Sequence, residues 1–153
     1  MVLAPPDRVL RAFFDSQALT AWWQAIRSVT SPRVLGPYVV EWRSTDYHDD
    51  LLGRLGGILR GTVMEIDPAQ GFFVADLYWL PPDADPVGPM ALTVTCVPTP
   101  WPVATQAAAN ESATHLRILQ SGCDQSPRWR RFYELFGPGW ERALSTLKGL
   151  LEH

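Results

Sequence analysis

The chain has 153 residues, of which 46% are hydrophobic and 19% charged, and its net charge is −3. That length suits one domain burying roughly 70% of the surface its unfolded chain exposes, and the composition argues against disorder. The negative balance argues against nucleic acid as a partner, and no window approaches the roughly 18 apolar residues a membrane-crossing helix needs.

Met1-Val2-Leu3-Ala4 runs straight into Pro5-Pro6-Asp7, which leaves no room for a signal peptide. A cytoplasmic location is therefore expected. Pro5-Pro6-Asp7 suits a helix start, since proline is tolerated in the first turn and a carboxylate favours that end. Val9, Leu10, Phe13 and Phe14 give this helix its apolar face. Asp15 or Ser16 then caps a second short helix through Leu19, Trp22 and Trp23.

From about Arg27 the period changes to two. Tyr38, Val40 and Trp42 alternate with Val39, Glu41 and Arg43, the pattern of a strand with unlike faces. Ile58–Ile66, Phe72–Leu80, Ala91–Val97 and Thr114–Ser121 read as further strands of an antiparallel meander. In the third strand, Asp76 and Tyr78 share a face with Phe72 and Val74, while Phe73, Ala75, Leu77 and Trp79 share the other. Pro98–Ser112 has no period and reads as a loop. In the last strand Leu116 and Ile118 point inward, and His115 and Arg117 outward.

The final quarter carries the clearest signal. Trp129, Tyr133, Phe136, Trp140, Leu144, Leu147 and Leu151 follow at steps of three or four and stack on one face of a long helix. Pro138, between Gly137 and Gly139, predicts a kink or short break, because it cannot donate to the Glu134 carbonyl. Leu151-Glu152-His153 reads equally as a tag remnant or as the end of this stripe. The order helix, helix, antiparallel sheet, long helix predicts an α+β fold, with residues 1–153 as a single domain and a curved sheet wrapping one helix.

Several residues carry chemistry in principle. Cys96 and Cys123 have no C-x-x-C spacing and are expected to be reduced. Asp46, His48, Asp49 and Asp50 have the types of a metal site without its spacing, and aspartates favour turns, so no metal is expected. Arg128, Arg130 and Arg131 are expected to stay in water while their stems cover apolar surface. No nucleophilic triad, phosphate loop or paired-cysteine zinc site is visible, and no cofactor is called for.

Pro5-Pro6-Asp7-Arg8-Val9-Leu10-Arg11-Ala12-Phe13, then Asp15 and Leu19-x-x-Trp22-Trp23, resemble the opening of the START-like helix-grip superfamily (SRPBCC). The nearest branch looks like homologues of the activator of a heat-shock chaperone ATPase. Its motifs are matched by Gly36-Pro37-Tyr38, Gly61-Thr62-Val63-Met64-Glu65-Ile66-Asp67-Pro68, Thr114-His115-Leu116 with Ser121-Gly122, and Gly139-Trp140 through Leu147-Lys148. Three features depart from that pattern. Only Met1–Ala4 precede the first helix where the family has a full strand, so a true start competes with a trimmed or mis-assigned one. Ser44–Gly56 is longer than the usual hairpin, and Pro37 replaces the second glycine of a turn.

The resemblance implies about six strands and a cavity between the sheet and the C-terminal helix. Its expected lining is Tyr38, Trp42, Leu77, Trp79, Leu92, Val94, Phe132, Phe136, Trp140 and Leu144. Such a lining suits a small hydrophobic or aromatic ligand held by a carrier or sensor, although rings at helical spacing mostly serve packing. Two other functions compete. A polyketide cyclase or hydrolase would use Asp76, Tyr78 or Glu41 inside the cavity. A co-chaperone-like module would bind a heat-shock chaperone. The missing first strand also predicts an open edge beside Leu116–Ile118, which invites a homodimer.

Overall fold

The computed structural model describes residues 1–100, 112–122 and 126–152. Helix α1 (Pro6–Arg11) starts on proline with Asp7 in its first turn and buries Pro6, Val9 and Leu10. Asp15 caps α2 (Ser16–Trp23) by accepting from the Gln17 amide at 3.1 Å, and Gln24 ends it in the left-handed conformation. Strands β1 (Arg27–Thr30) and β2 (Pro37–Trp42) follow, then a short hairpin, β3 (His48–Asp49) with β4 (Gly53–Arg54). Next come β5 (Gly57–Asp67), β6 (Gly71–Leu80), β7 (Val87–Pro100), β8 (Ser112–Ser121) and the long helix α3 (Pro127–Leu151).

Six strands form one curled sheet in the order β1-β2-β5-β6-β7-β8, antiparallel throughout. The two helices at the start and α3 across the concave face complete an α+β architecture consistent with a helix grip. The core runs between these layers and includes Phe13, Leu19, Trp22, Tyr38, Val40, Leu77, Trp79, Leu92, Phe132 and Leu147. The α1–α2 corner closes one end of the concave face. There Phe13 and Phe14 meet Phe72 edge-on at 5.6 and 4.8 Å, and Tyr38 donates its hydroxyl to the Phe13 carbonyl at 3.0 Å.

Four local features differ from the sequence expectations. Strand β6 does not keep one phase: Phe72 and Val74 face inward, but so do Leu77 and Trp79. The register with both neighbours shifts between these pairs, where Asp76 has φ +50°. Aspartate tolerates that left-handed conformation, and the resulting bulge reverses the alternation and turns Asp76 to solvent. Strict alternation therefore placed Asp76 and Tyr78 on the wrong face.

Strands β7 and β8 also continue into the segment read as a loop, pairing Pro98 with Thr114 and Pro100 with Ser112, while residues 101–111 lie outside the described chain. Two prolines fit in this strand because of parity. Thr114 bonds outward, to Val2, so the odd residues of β8 bond β7. The even residues of β7 then face β6, as the bond from the Cys96 amide to the Gln70 carbonyl shows. Pro98 and Pro100 lie past the start of β6, where no donor is needed.

The third difference is in α3, which passes through Pro138 without a break. Gly137 and Pro138 are exposed, so water can take the place of the bond that proline forfeits to Glu134. The fourth is at the sheet edge. Val2 exchanges two 2.8 Å backbone bonds with Thr114, so one residue of a bordering strand is present. Thr114 also donates its hydroxyl to the Ala4 carbonyl at 2.6 Å, and Glu152 accepts from the Leu3 amide at 2.9 Å.

Candidate functional site

Between α2, α3 and the sheet lies a cleft of 640 Å³ whose walls are largely aromatic. Trp22 stacks on Trp23 with centroids 4.9 Å apart. Trp23 in turn meets Trp140 of α3 at 4.8 Å and Trp42 of β2 at 5.0 Å. Deeper in, Trp79 packs against Phe136 at 4.9 Å, and Phe136 stacks on Phe132 at 4.4 Å. The rings thus join helix to helix and helix to sheet without filling the space between them.

Their polar edges are already committed. Trp22 donates to the Ala12 carbonyl at 2.9 Å, Trp42 to the Trp23 carbonyl at 2.8 Å, and Trp79 to the Gly56 carbonyl at 2.8 Å. Trp140 donates to Gln120 Oε1 at 2.9 Å, and the same amide reaches Met90 Sδ from its nitrogen at 3.2 Å. These indoles are fixed in orientation and offer the cleft their π faces rather than donors.

Of the ten residues expected to line a cavity, Trp42, Trp79, Phe132, Phe136 and Trp140 meet at this cleft. The other five lie elsewhere. Leu77, Leu92 and Val94 are buried in the core. Tyr38 is buried under the α1–α2 corner, where desolvation pushes its phenol far above the ordinary range. Leu144 packs on the core from α3 outside the lining. Trp22, Trp23, Leu55, Leu59 and Gln120 complete the walls without having been singled out for them. The tandem Trp22-Trp23 was the available signal, since a short helix cannot bury two adjacent indoles on one face.

Residues on either side of the β3–β4 hairpin line the cleft, and α3 holds that hairpin down. Arg131 donates from Nε to Asp49 Oδ1 at 2.7 Å. The other oxygen of Asp49 accepts from the Leu51 and Leu52 amides at 3.0 and 3.1 Å. Burial alone would raise this carboxyl's pKa, but the Arg131 bond and the two amides outweigh it and hold the pKa below its ordinary value. Arg128 reaches the carbonyls of Leu51, Asp85 and Pro86. Two of the three arginines expected to stay in water are therefore clamps, Arg128 on loop carbonyls and Arg131 on the Asp49 carboxylate. Thr45, Leu55 and Gly56, which flank the hairpin, line the cleft.

Asp76, Tyr78 and Glu41 do not line the cleft. Glu41 pairs with its cross-strand neighbour Arg27 at 2.7 Å. Among the described residues no carboxylate reaches the lining, and no grouping of histidine, cysteine and acid is arranged to hold a metal. The charged lining residues are Arg43 and Arg142. Burial pushes the Cys96 thiol up to about 11, which leaves it protonated, and Cys123 lies outside the described residues. No described helix is long and apolar enough to cross a membrane.

No protein-family profile matches the chain, and no curated protein matches it. Solved structures do. A protein from Chromobacterium violaceum is 24% identical with a TM-score of 0.62, over 100% of this chain and 94% of that one. One from Rhodobacter sphaeroides is 18% identical with a TM-score of 0.69, over 99% and 88%. A third, from Nitrosomonas europaea, is 15% identical with a TM-score of 0.60, over 99% and 89%. The likeness is one of fold.

Proposed function

We propose that this protein binds a small aromatic or flat hydrophobic molecule in the cleft between α2, α3 and the sheet, as a carrier or sensor of the START-like kind. The observation that carries this reading is a 640 Å³ space walled by Trp23, Trp42, Trp79, Phe136 and Trp140. Trp42, Trp79 and Trp140 are held by their own hydrogen bonds and Trp23 and Phe136 by ring contacts, so they lose little entropy when a ligand slides between them, and the space has the volume of an ordinary ligand site. The absence of a lining carboxylate among the described residues favours binding over acid–base catalysis.

The helix-grip arrangement and the sequence motifs support membership of the SRPBCC superfamily, in the branch resembling activators of a heat-shock chaperone ATPase. A chaperone partner rests on that resemblance and is tested by pull-down with purified chaperone. A second copy pairing along β8 rests on the single-residue Val2 bridge at that edge and is tested by light scattering. The ligand reading is tested with N-phenyl-1-naphthylamine, a neutral dye that brightens in apolar sites. Saturable binding with a rise in melting temperature is expected. Failure of this dye and of a neutral aromatic panel to bind would overturn the reading.

A further inference from the structure

An arginine without a partner on an open surface signifies little. Arg43 and Arg142 differ in their setting. They border an apolar cleft from two sides, Arg43 directly after Trp42 at the end of β2 and Arg142 two residues after Trp140 on α3. Among the described residues neither guanidinium has a hydrogen bond or ion pair, in contrast to Arg27, Arg54 and Arg131. No acid stands in the lining to neutralise them, so the cleft carries two positive charges in a chain whose net charge is −3. The remaining polar lining near them is neutral, with Gln24, Thr45 and Thr146. Thr146 already donates to the Arg142 carbonyl at 3.2 Å, and Thr45 to carbonyls of its own hairpin.

We infer that the ligand is an aromatic or flat apolar anion, an organic acid whose rings enter between the indoles while its negative group meets Arg43 and Arg142. This rests on the reading of the cleft as a ligand site. The two parts of the cleft divide the work. Ring faces supply burial and stacking but little hydrogen-bonding specificity, because the N–H groups of Trp22, Trp42, Trp79 and Trp140 are spent. The guanidiniums supply a forked donor pair suited to a carboxylate or sulfonate at the rim, where the acid keeps part of its hydration.

The test uses two dyes with the same aromatic body. N-phenyl-1-naphthylamine is neutral, and 8-anilinonaphthalene-1-sulfonate adds one negative group. The sulfonate is expected to bind about five- to tenfold more tightly at low salt, the sum of two solvent-exposed charge contacts. That advantage is expected to vanish in the R43Q/R142Q double variant and to shrink toward 1 M salt, where the screening length falls to about 3 Å. An unchanged melting temperature and tryptophan emission of the double variant show that the cleft is intact. The salt titration of the unmodified chain supplies the same comparison without any substitution. Equal binding of the two dyes, or an advantage that survives both the double substitution and salt, overturns the anion preference and leaves the ligand site standing. Binding of neither dye overturns both.

Discussion

Arg131 on α3 and Asp49 in the β3–β4 hairpin are 82 positions apart, yet Nε and Oδ1 lie 2.7 Å from one another. This bond and the Arg128 contacts tie to α3 the hairpin whose flanks, Thr45, Leu55 and Gly56, line the cleft. Asp49 is 4% exposed and accepts three N–H groups, so its removal strands donors instead of merely freeing a charge. Asp49→Ala is expected to cost about 1–3 kcal/mol in urea unfolding. Amide exchange should accelerate at Leu51 and Leu52 well before it does in β5 or β6.

Acid should act through two carboxyls. Asp49 and Glu152 are both held below their ordinary pKa values, Asp49 against the pull of burial, and Glu152 chiefly by its Lys148 bond. A depressed folded-state pKa contributes stability that is fully present above the unfolded value and is lost as pH falls through the folded one. The melting temperature should therefore begin to fall as pH drops below about 4, near the unfolded carboxyl range. Asp49→Asn should start lower at neutral pH and show a shallower acid limb. An acid limb unchanged by that substitution would mean that Asp49 is not among the groups responsible.

Gly56 sits at φ +108°, and an added Cβ would run into the Arg43 carbonyl and lie 2.8 Å from Ser44 Cα. Its own carbonyl accepts from Trp79. Gly56→Ala is expected to destabilise by about 1–3 kcal/mol through strained backbone. It should also shift the emission of Trp79 by loosening that bond. Gly149, with nothing within 4 Å of its Cβ position in α3, is the control, and Gly149→Ala should be neutral or slightly stabilising.

Trp42 closes the sheet side of the cleft, edge-on to Trp23. Trp42→Leu keeps an apolar side chain there and removes the ring. Binding of N-phenyl-1-naphthylamine should weaken by about three- to tenfold, the value of one aromatic contact. Leu144→Ala on the same helix, outside the lining, should leave dye affinity unchanged while lowering stability.

Much of the fold was legible because its signals are local. The stripe from Trp129 to Leu151 is a 3.6-residue period, and β2 alternates from Pro37 to Val40 as β8 does from Thr114 to Ser121. What escaped depends on pieces distant in sequence. Asp76 adopts a positive φ that reverses the alternation of β6, and no period could reveal it. Tyr38 is covered by the α1–α2 corner, where Phe14 meets it edge-on, and Leu92 and Val94 are buried in the core, and no period within their strands reveals what covers them. The cleft walls from α3 could be read; those from α2 could not, since Trp22 and Trp23 acquire their role through Trp42 and Trp140. Arg43 and Arg142 gave no signal at all, because a guanidinium becomes informative only by what surrounds it.

Five of the seven tryptophans, Trp22, Trp23, Trp42, Trp79 and Trp140, line one space, and neighbours in the Trp22-Trp23-Trp42-Trp140 group have centroids 4.8–5.0 Å apart. Indole transitions at that separation couple, so the native chain should show an exciton couplet on the strong far-ultraviolet indole transition that weakens if α2 and α3 part. An absorbing guest among them would collect most of the chain's excitation by energy transfer. The molecule thus carries its own optical gauge of occupancy and of helix docking, with no label attached.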